Sequence, residues 1–441
     1  MLDRAEPNYR ESVCFQELDM ALIDSLFKGK KSACSLNSEK ISVQTLRGLI
    51  PIRNLSEEKL QAFAEEKQTE VLAAGETLFN INAPSDAAIY LLKGTVTVAD
   101  KNGKSYDVFA DSTESRFPIC SGVKHITSAV AKTDISFLRV SHKIMSVNPA
   151  INHEELVIPA KLSNNRLLQL FAQYFMEEKL EIPSLPNVAV RLRQAMQNDI
   201  GIAEAVKIIQ LDPVITAKLI EVANCPLYYT TNPAKSCLAA VSRIGLVASR
   251  NLVVSFSIKQ IFKSDSPDIK KYLNYLWKDS LSLSCISYVL ALESGQYCPE
   301  EALLAGLVCD IGAIPFLNFV ANLPSEYHDK KEIEQALPVV KGVVGAAVLK
   351  NWNFADEFIQ VALNSNNWYQ NNSEQLTLTD IVILSRLHRK ICQKKTEGFP
   401  SITSIPAASK LKNIALSPEN TLHILHDAKN KINDALAAFS G

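Results

Sequence analysis

Apolar positions follow two different rhythms along the chain. Between residues 46 and 145 they alternate with polar positions over short runs, and from about 150 onward they recur every three or four residues. Alternation marks a half-buried strand, and the longer period marks a helix with one apolar face. The alternating part holds "GETLFNI", "AAIYLLKGTVTVAD", "KSYDVFA" and "ITSAVAKTDISFLRV". Alternation is strict at Thr95-Val96-Thr97-Val98, and Lys101-Asn102-Gly103 is a hairpin turn signal. Many short strands at close spacing predict a small β-barrel or a sandwich of the jelly-roll kind. Before them "LSEEKLQAFAEEKQTEVLA" predicts a helix, with Ser56 as its cap and acids in its first turn. Residues 1–45 read as one or two helices, because Phe15, Leu18, Leu22, Ile23 and Leu26 keep near-helical spacing ahead of the connector "KGKKSACSLNSEK".

The helical part is well punctuated. Residues 151–180 predict a connecting helix, and the two prolines of "IPSLPNVAVRLRQAM" open a new domain. Asp212-Pro213 is an N-cap followed by proline at the first helical position. Gly245 closes "SCLAAVSRIG", and Trp277 begins "WKDSLSLSCISYVLALES". Further helices are predicted in "PEEALLAGLVCDIG", "VVKGVVGAAVLKNW", "ADEFIQVALNSNNW", Leu376–Lys395 and Pro418–Phe439. The fold class is therefore multidomain α+β. Its divisions fall at 1–45 (helical), 46–150 (β-barrel or jelly roll), 151–180 (connecting helix), 181–375 (all-α domain) and 376–441 (C-terminal helices).

Composition narrows the function. With 441 residues the chain can hold two or three cores. Charges break the longest apolar runs before the roughly 20 residues that a bilayer crossing needs. The polar start "MLDRAEPNYRESVCF" has no signal-peptide core, so the expected location is the cytoplasm. Nine cysteines, an odd number without C-x-x-C spacing, argue against a disulfide framework or a zinc ribbon. A net charge of −1 supplies no global field for nucleic acid. "AVSRIGLVASRNLVVSFS" has a helix–Gly–helix outline, but only Arg250 and Asn251 are polar near the start of its second helix, too few to read a groove.

Two stretches resemble known families. "GETLFNINAPSDAAIYLLKGTVTV" resembles the first half of a cyclic-nucleotide-binding domain through Gly75, Glu76, Asp86, Tyr90, Leu91, Gly94 and Val96. In that family a Phe-Gly-Glu stretch and a later Arg hold the cyclic phosphate and ribose. Here Pro118 stands for the glycine and removes an N–H donor, Ile119 stands for the acid, and His125 falls nearest the arginine. Arg116 and Lys124 remain, with His125, as candidate anion contacts.

Residues 181–375 resemble the HDOD domain, an output module of bacterial signalling proteins related to HD phosphohydrolases. The resemblance rests on "IPSLPNVAVRL", "IIQLDPVITAKLIEVANCPLYY" and "AVSRIGLVASRNLVVSFSI", followed in order by "LWKDSLSLS", "EALLAGLVCDIG" and "VVGAAVLKNW". It implies a metal site built from histidines and aspartates that activates water. At those positions this chain has Asp279, Cys309, Asp310, Arg386 and the pair Asn366-Asn367. Between 181 and 387 the only histidine is His328. Two literal His-Asp pairs, His328-Asp329 and His426-Asp427, lack companion ligands. Asp310 is expected to cap a helix end or bond to backbone, with a remnant metal site shared with Asp279 as the alternative. Cys309 is expected to be a small core residue.

These readings predict a regulatory, non-enzymatic signalling protein without cofactor or metal. Its degenerate barrel would be coupled to an HDOD domain that binds a protein partner. No membrane partner is expected, and a homodimer through the barrel or the connecting helix is the candidate assembly. The helix near 153–180 is the expected coupling element. Two alternatives stay open: a cryptic phosphohydrolase acting on a nucleotide or cyclic dinucleotide, and a true cyclic-nucleotide receptor.

Overall fold

The computed structural model describes residues 39–146, 156–177, 179–228, 231–393, 398–412, 415 and 422–440. The helices predicted within 1–38 lie outside these. The alternating region forms seven antiparallel strands: β1 (Glu70–Leu72), β2 (Thr77–Phe79), β3 (Ala87–Lys93), β4 (Thr95–Ala99), β5 (Ser105–Phe109), β6 (Ser128–Ala131) and β7 (Ile135–Ser141). They make two sheets, ordered β1-β7-β3 and β2-β6-β4-β5. The sheets do not close on one another, so the module is an open sandwich and not a barrel. Val96 and Val98 of β4 point inward, as the alternation predicts, and pack with Ile89, Leu91, Ile135 and Phe137. In the β4–β5 hairpin, Asp100 Oδ1 accepts from the N–H groups of Asn102 and Lys104, each at 2.9 Å.

Two short helices precede the strands, α1 (Val43–Gly48) and α2 (Glu57–Glu66). The helix predicted through Ala73 ends at Glu66, and Glu70–Leu72 pairs instead with Ile135–Phe137. Strand pairing with a segment some 65 residues away overrides local helix propensity there. Helix α3 (His142–Ser146) follows β7.

The remaining helices are α4 (Arg166–Met176), α5 (Asn187–Met196), α6 (Ile202–Ile209), α7 (Pro213–Ala223), α8 (Cys237–Ile244) and α9 (Leu246–Ile258). After them come α10 (Pro267–Ser294), α11 (Pro299–Val308), α12 (Ala313–Ala321), α13 (Lys330–Asn351), α14 (Asp356–Asn364) and α15 (Leu378–Cys392). The C-terminal part holds α16 (Pro406–Ser409), α17 (His423–Asp427) and α18 (Lys429–Ser440). Asp212 caps α7 as predicted, accepting from Val214 N and Ile215 N at 3.0 Å each, with Pro213 at the first position. Gly245 separates α8 from α9 at φ +92°, a left-handed conformation that glycine adopts without strain. Trp277 lies inside α10 and does not begin it, because Pro267 starts that helix ten residues earlier. The connecting helix is shorter than predicted. Its Phe171 packs edge-on against Phe316 and Phe319 in the helical core.

Helix α10 is buried along most of its second half and forms the centre of the helical part. The stretch Pro299–Ala321 is long and apolar enough to cross a bilayer, contrary to the reading of broken apolar runs, because Asp310 is its only charge after Glu301. Most of it is buried inside the fold, so its apolar surface is already covered by protein. Trp352 and Tyr369 are core residues. One continuous apolar core joins Tyr90 and Leu138 of the sandwich, Leu46 and Phe63 of the first helices, and Tyr369, Leu384 and Ile405 of the helical part.

Candidate functional site

Asp310 sits just past the end of α11 and is 4% exposed. A carboxylate so buried needs compensating charge, and α15 supplies it. Arg386 Nη1 donates to Asp310 Oδ2 at 3.0 Å and Nη2 to Oδ1 at 3.2 Å, a two-pronged pair. Lys341 Nζ of α13 lies 2.9 Å from Oδ1. Asp310 is thus the centre of an ion-pair network, where the sequence predicts a helix cap or bonds to neighbouring backbone. Burial pushes its carboxyl pKa up, but Arg386 and Lys341 together outweigh burial and hold it well below the ordinary range. Arg386 Nη2 also reaches Cys309 Sγ at 3.1 Å and Ser365 Oγ at 3.4 Å. Cys309 is fully buried, and burial followed by the Asp310 charge pushes its thiol up to about 12. It stays protonated at neutral pH and has no thiolate character.

The second carboxylate is matched in the same way. Arg389, three residues beyond Arg386 and on the same face of α15, grips Asp279 of α10 through both terminal nitrogens. Nη2 donates to Oδ2 at 2.7 Å and Nη1 donates to the Asp279 carbonyl at 3.3 Å. Asp279, Cys309, Asp310 and Arg386 therefore do gather around α15. Asn366 and Asn367 do not join them. Asn366 is exposed, and Asn367 braces its own turn, its Oδ1 accepting from Tyr369 N at 3.3 Å. Ser365 is the residue of that stretch that reaches the cluster.

Sequence reading missed Lys341, Arg389 and Ser365. The signal was present as a lone lysine in the apolar "VVKGVVG" and as an R-x-x-R spacing in "IVILSRLHRKIC". His388, beside them on α15, is buried, and burial depresses its imidazole to about 4, so it is neutral.

A guanidinium offers donors only, so it cannot hold a water ligand and acidify it as a metal ion does. Among the described residues no three His, Cys, Asp or Glu side chains form a metal-holding group. His328-Asp329 is a helix start: Asp329 caps α13 in a reciprocal capping box with Glu332. In the other dipeptide, Asp427 pairs with His423 at 2.7 Å.

Close packing holds the cluster in place. A Cβ on Gly312, two residues past Asp310, would stand 2.8 Å from Gly345 Cα and still closer to Gly345 N and Lys341 O. Gly312→Ala is expected to lower unfolding stability by about 1–3 kcal/mol, because backbone and not a flexible side chain must give way. Chemical denaturation of the variant checks this.

In the sandwich the three candidate anion contacts differ in exposure. Arg116 and Lys124 are exposed, whereas His125 is buried with its ring stacked on Phe79 at 4.1 Å between centroids. Burial, then Arg139 and His142, push the His125 pKa down, which keeps the ring neutral. Ile119 lies in the sandwich interior, and its N–H donates to Ile89 O at 2.7 Å. The next residues meet the C-terminal segment 398–412. Ser121 Oγ donates to Ser404 O, Gly122 faces Ser409, and Tyr106 OH lies 2.9 Å from Ser401 Oγ and 3.2 Å from Thr403 Oγ1. The same segment is anchored to α15, where Lys410 Nζ sits 3.0 Å from both oxygens of Asp380.

Residues 182–368 match the HDOD domain family. A solved structure from Shewanella amazonensis SB2B, provisionally described as a metal-dependent phosphohydrolase, shares the fold. It is 22% identical, covers 63% of this chain and 99% of its own, and has a TM-score of 0.53. An HDOD domain protein of unknown function from Geobacter sulfurreducens is 21% identical over 63% of this chain and 97% of its own, with a TM-score of 0.45. A cyclic nucleotide-binding-like protein from Brucella abortus is 21% identical over 23% of this chain and 91% of its own, with a TM-score of 0.19. A protein of Treponema pallidum described as uncharacterized is 20% identical over 216 residues, and the match spans 46% of this chain and 41% of that protein.

Proposed function

Because residues 182–368 form an HDOD domain, we propose that this is a non-enzymatic signalling protein whose helical domain binds a protein partner and whose β-sandwich biases that binding. The observation that carries the reading is the seating of Arg386 and Arg389 on Asp310 and Asp279. Fixed cations occupy both remaining carboxylates of the position where a phosphohydrolase would hold metal. The sandwich supports the same reading, since Pro118 and the buried Ile119 remove the donor and the acid that a cyclic nucleotide would need. The segment 398–412, which touches both the sandwich and α15, is the coupling element in place of the connecting helix, whose aromatic side packs into the helical core.

The test is an activity assay with manganese or magnesium on cyclic dinucleotides, nucleotides and a chromogenic phosphodiester. The expected result is no metal-dependent hydrolysis above a Asp310→Asn control, and no thermal stabilisation by cyclic AMP or cyclic GMP. Metal-dependent turnover that Asp310→Asn abolishes would return the protein to the enzymes. Cross-linking and affinity capture from the native cell then identify the partner.

A further inference from the structure

A cavity of about 500 Å³ opens on the helical part, away from the sandwich and formed by α7, α9, α10, α11 and α18. Its volume lies in the range of small-molecule sites. The floor is apolar and buried, made by Ile215, Phe262, Leu281, Leu303 and Leu307, with Trp277 as one wall. The two floor hydroxyls are already engaged. Ser255 Oγ donates to Asn251 O and Ser284 Oγ to Leu281 O, each at 2.8 Å. The interior therefore presents hydrocarbon to an occupant.

The mouth is different. Lys259 and Lys263 are exposed, Lys218 stands on the opposite helix, and among the described residues no acid lines the cavity. Lys218 is paired with the exposed Glu221 at 3.3 Å, and Lys259 lies 5.9 Å above the Trp277 ring, so three lysines stand near the mouth against one acid among the described residues. Val214 adds an apolar lip that is 75% exposed. An apolar floor beneath a cationic rim matches one chemical pattern, a hydrocarbon tail ending in an anion.

We propose that this cavity binds a free single-chain anionic amphiphile of the fatty-carboxylate class, with its tail on Leu303 and Leu307 and its carboxylate among Lys218, Lys259 and Lys263. Leu307 lies two residues before Cys309, so the floor is on the helix whose C-terminal end leads into the Asp310 cluster. The proposal is independent of the partner-binding reading, and each can fail alone.

The experiment is titration of the full chain with dodecanoate below its micelle concentration, followed by calorimetry and by tryptophan emission, with dodecanol and dodecyltrimethylammonium alongside. The expected result is saturable one-to-one binding of dodecanoate, weaker binding of the alcohol and weakest binding of the cation. Added salt is expected to weaken the carboxylate and leave the alcohol unchanged. The charge reversal Lys259→Glu with Lys263→Glu, at exposed positions that spare the core, is expected to weaken dodecanoate by about tenfold or more and leave the alcohol unaffected. The proposal is overturned if dodecanoate shows no saturable binding, or if the reversed variant binds it as tightly as the parent. It is overturned equally if the protein floats with anionic phosphatidylglycerol vesicles, or binds an acidic apolar peptide, while ignoring monomeric dodecanoate.

Discussion

Arg386→Met is expected to destabilise the fold by about 3–5 kcal/mol, the usual cost of breaking a buried ion pair by removing one partner. The methionine fills similar volume, so the loss reports charge more than packing. Asp310 would keep Lys341 at 2.9 Å but lose both guanidinium bonds, and Cys309 and Ser365 would lose their shared donor. The double variant Asp310→Asn with Arg386→Met is expected to recover only part of that loss, because it removes the under-compensated carboxylate but leaves the half-buried Lys341 without its acid. Equilibrium denaturation of the four proteins in a double-mutant cycle measures the coupling directly. If Arg386→Met costs under about 1 kcal/mol, the pair is not the compensating interaction assigned here.

The same pair gives a pH dependence. Asp310 has a folded pKa held below its unfolded value, which is near 3.9. Its contribution to stability is therefore fully present above the unfolded pKa. It is lost as pH falls below about 4 toward the lower folded value. Asp310→Asn is expected to flatten this part of the acid-denaturation curve while leaving the neutral-pH slope unchanged.

Lys410→Met is the second large effect. Lys410 and Asp380 are 3% and 0% exposed and meet at 3.0 Å. Asp380 also accepts from Gln370 Nε2 and from the backbone and hydroxyl of Thr377, so it would not be left bare. The expected loss is accordingly at the low end, about 3 kcal/mol. Its consequence is local. Gln296 pins Lys410 O and Lys412 N, and the segment then runs on to Tyr106 and Ser121. Freed from α15, residues 401–404 are expected to lose amide protection faster than α10, as read by hydrogen exchange. Uniform loss across both would mean that the segment is not a separate coupling element.

The degree of legibility differs from element to element. Asp212-Pro213 announced α7, and Thr95 to Val98 announced β4, because caps and alternation are local patterns acting over two to four residues. Glu70–Leu72 defeated the same reasoning, since its strand partner lies far along the chain. Lys341 and Arg389 were visible as charges in apolar helices, but nothing local says which acid each would meet.

By itself the sequence determined the two rhythms, the capped start at Asp212-Pro213 and the lack of histidines to surround Asp310. These depend on residue type and short spacing. Only the tertiary structure decided that Asp310 pairs with a residue 76 positions away and Asp279 with one 110 away. It also decided that the sheets stay open and that residues 398–412 bridge sandwich and helices. Burial makes those pairings obligatory, because a desolvated charge must be matched by whichever cation the fold brings within about 3 Å.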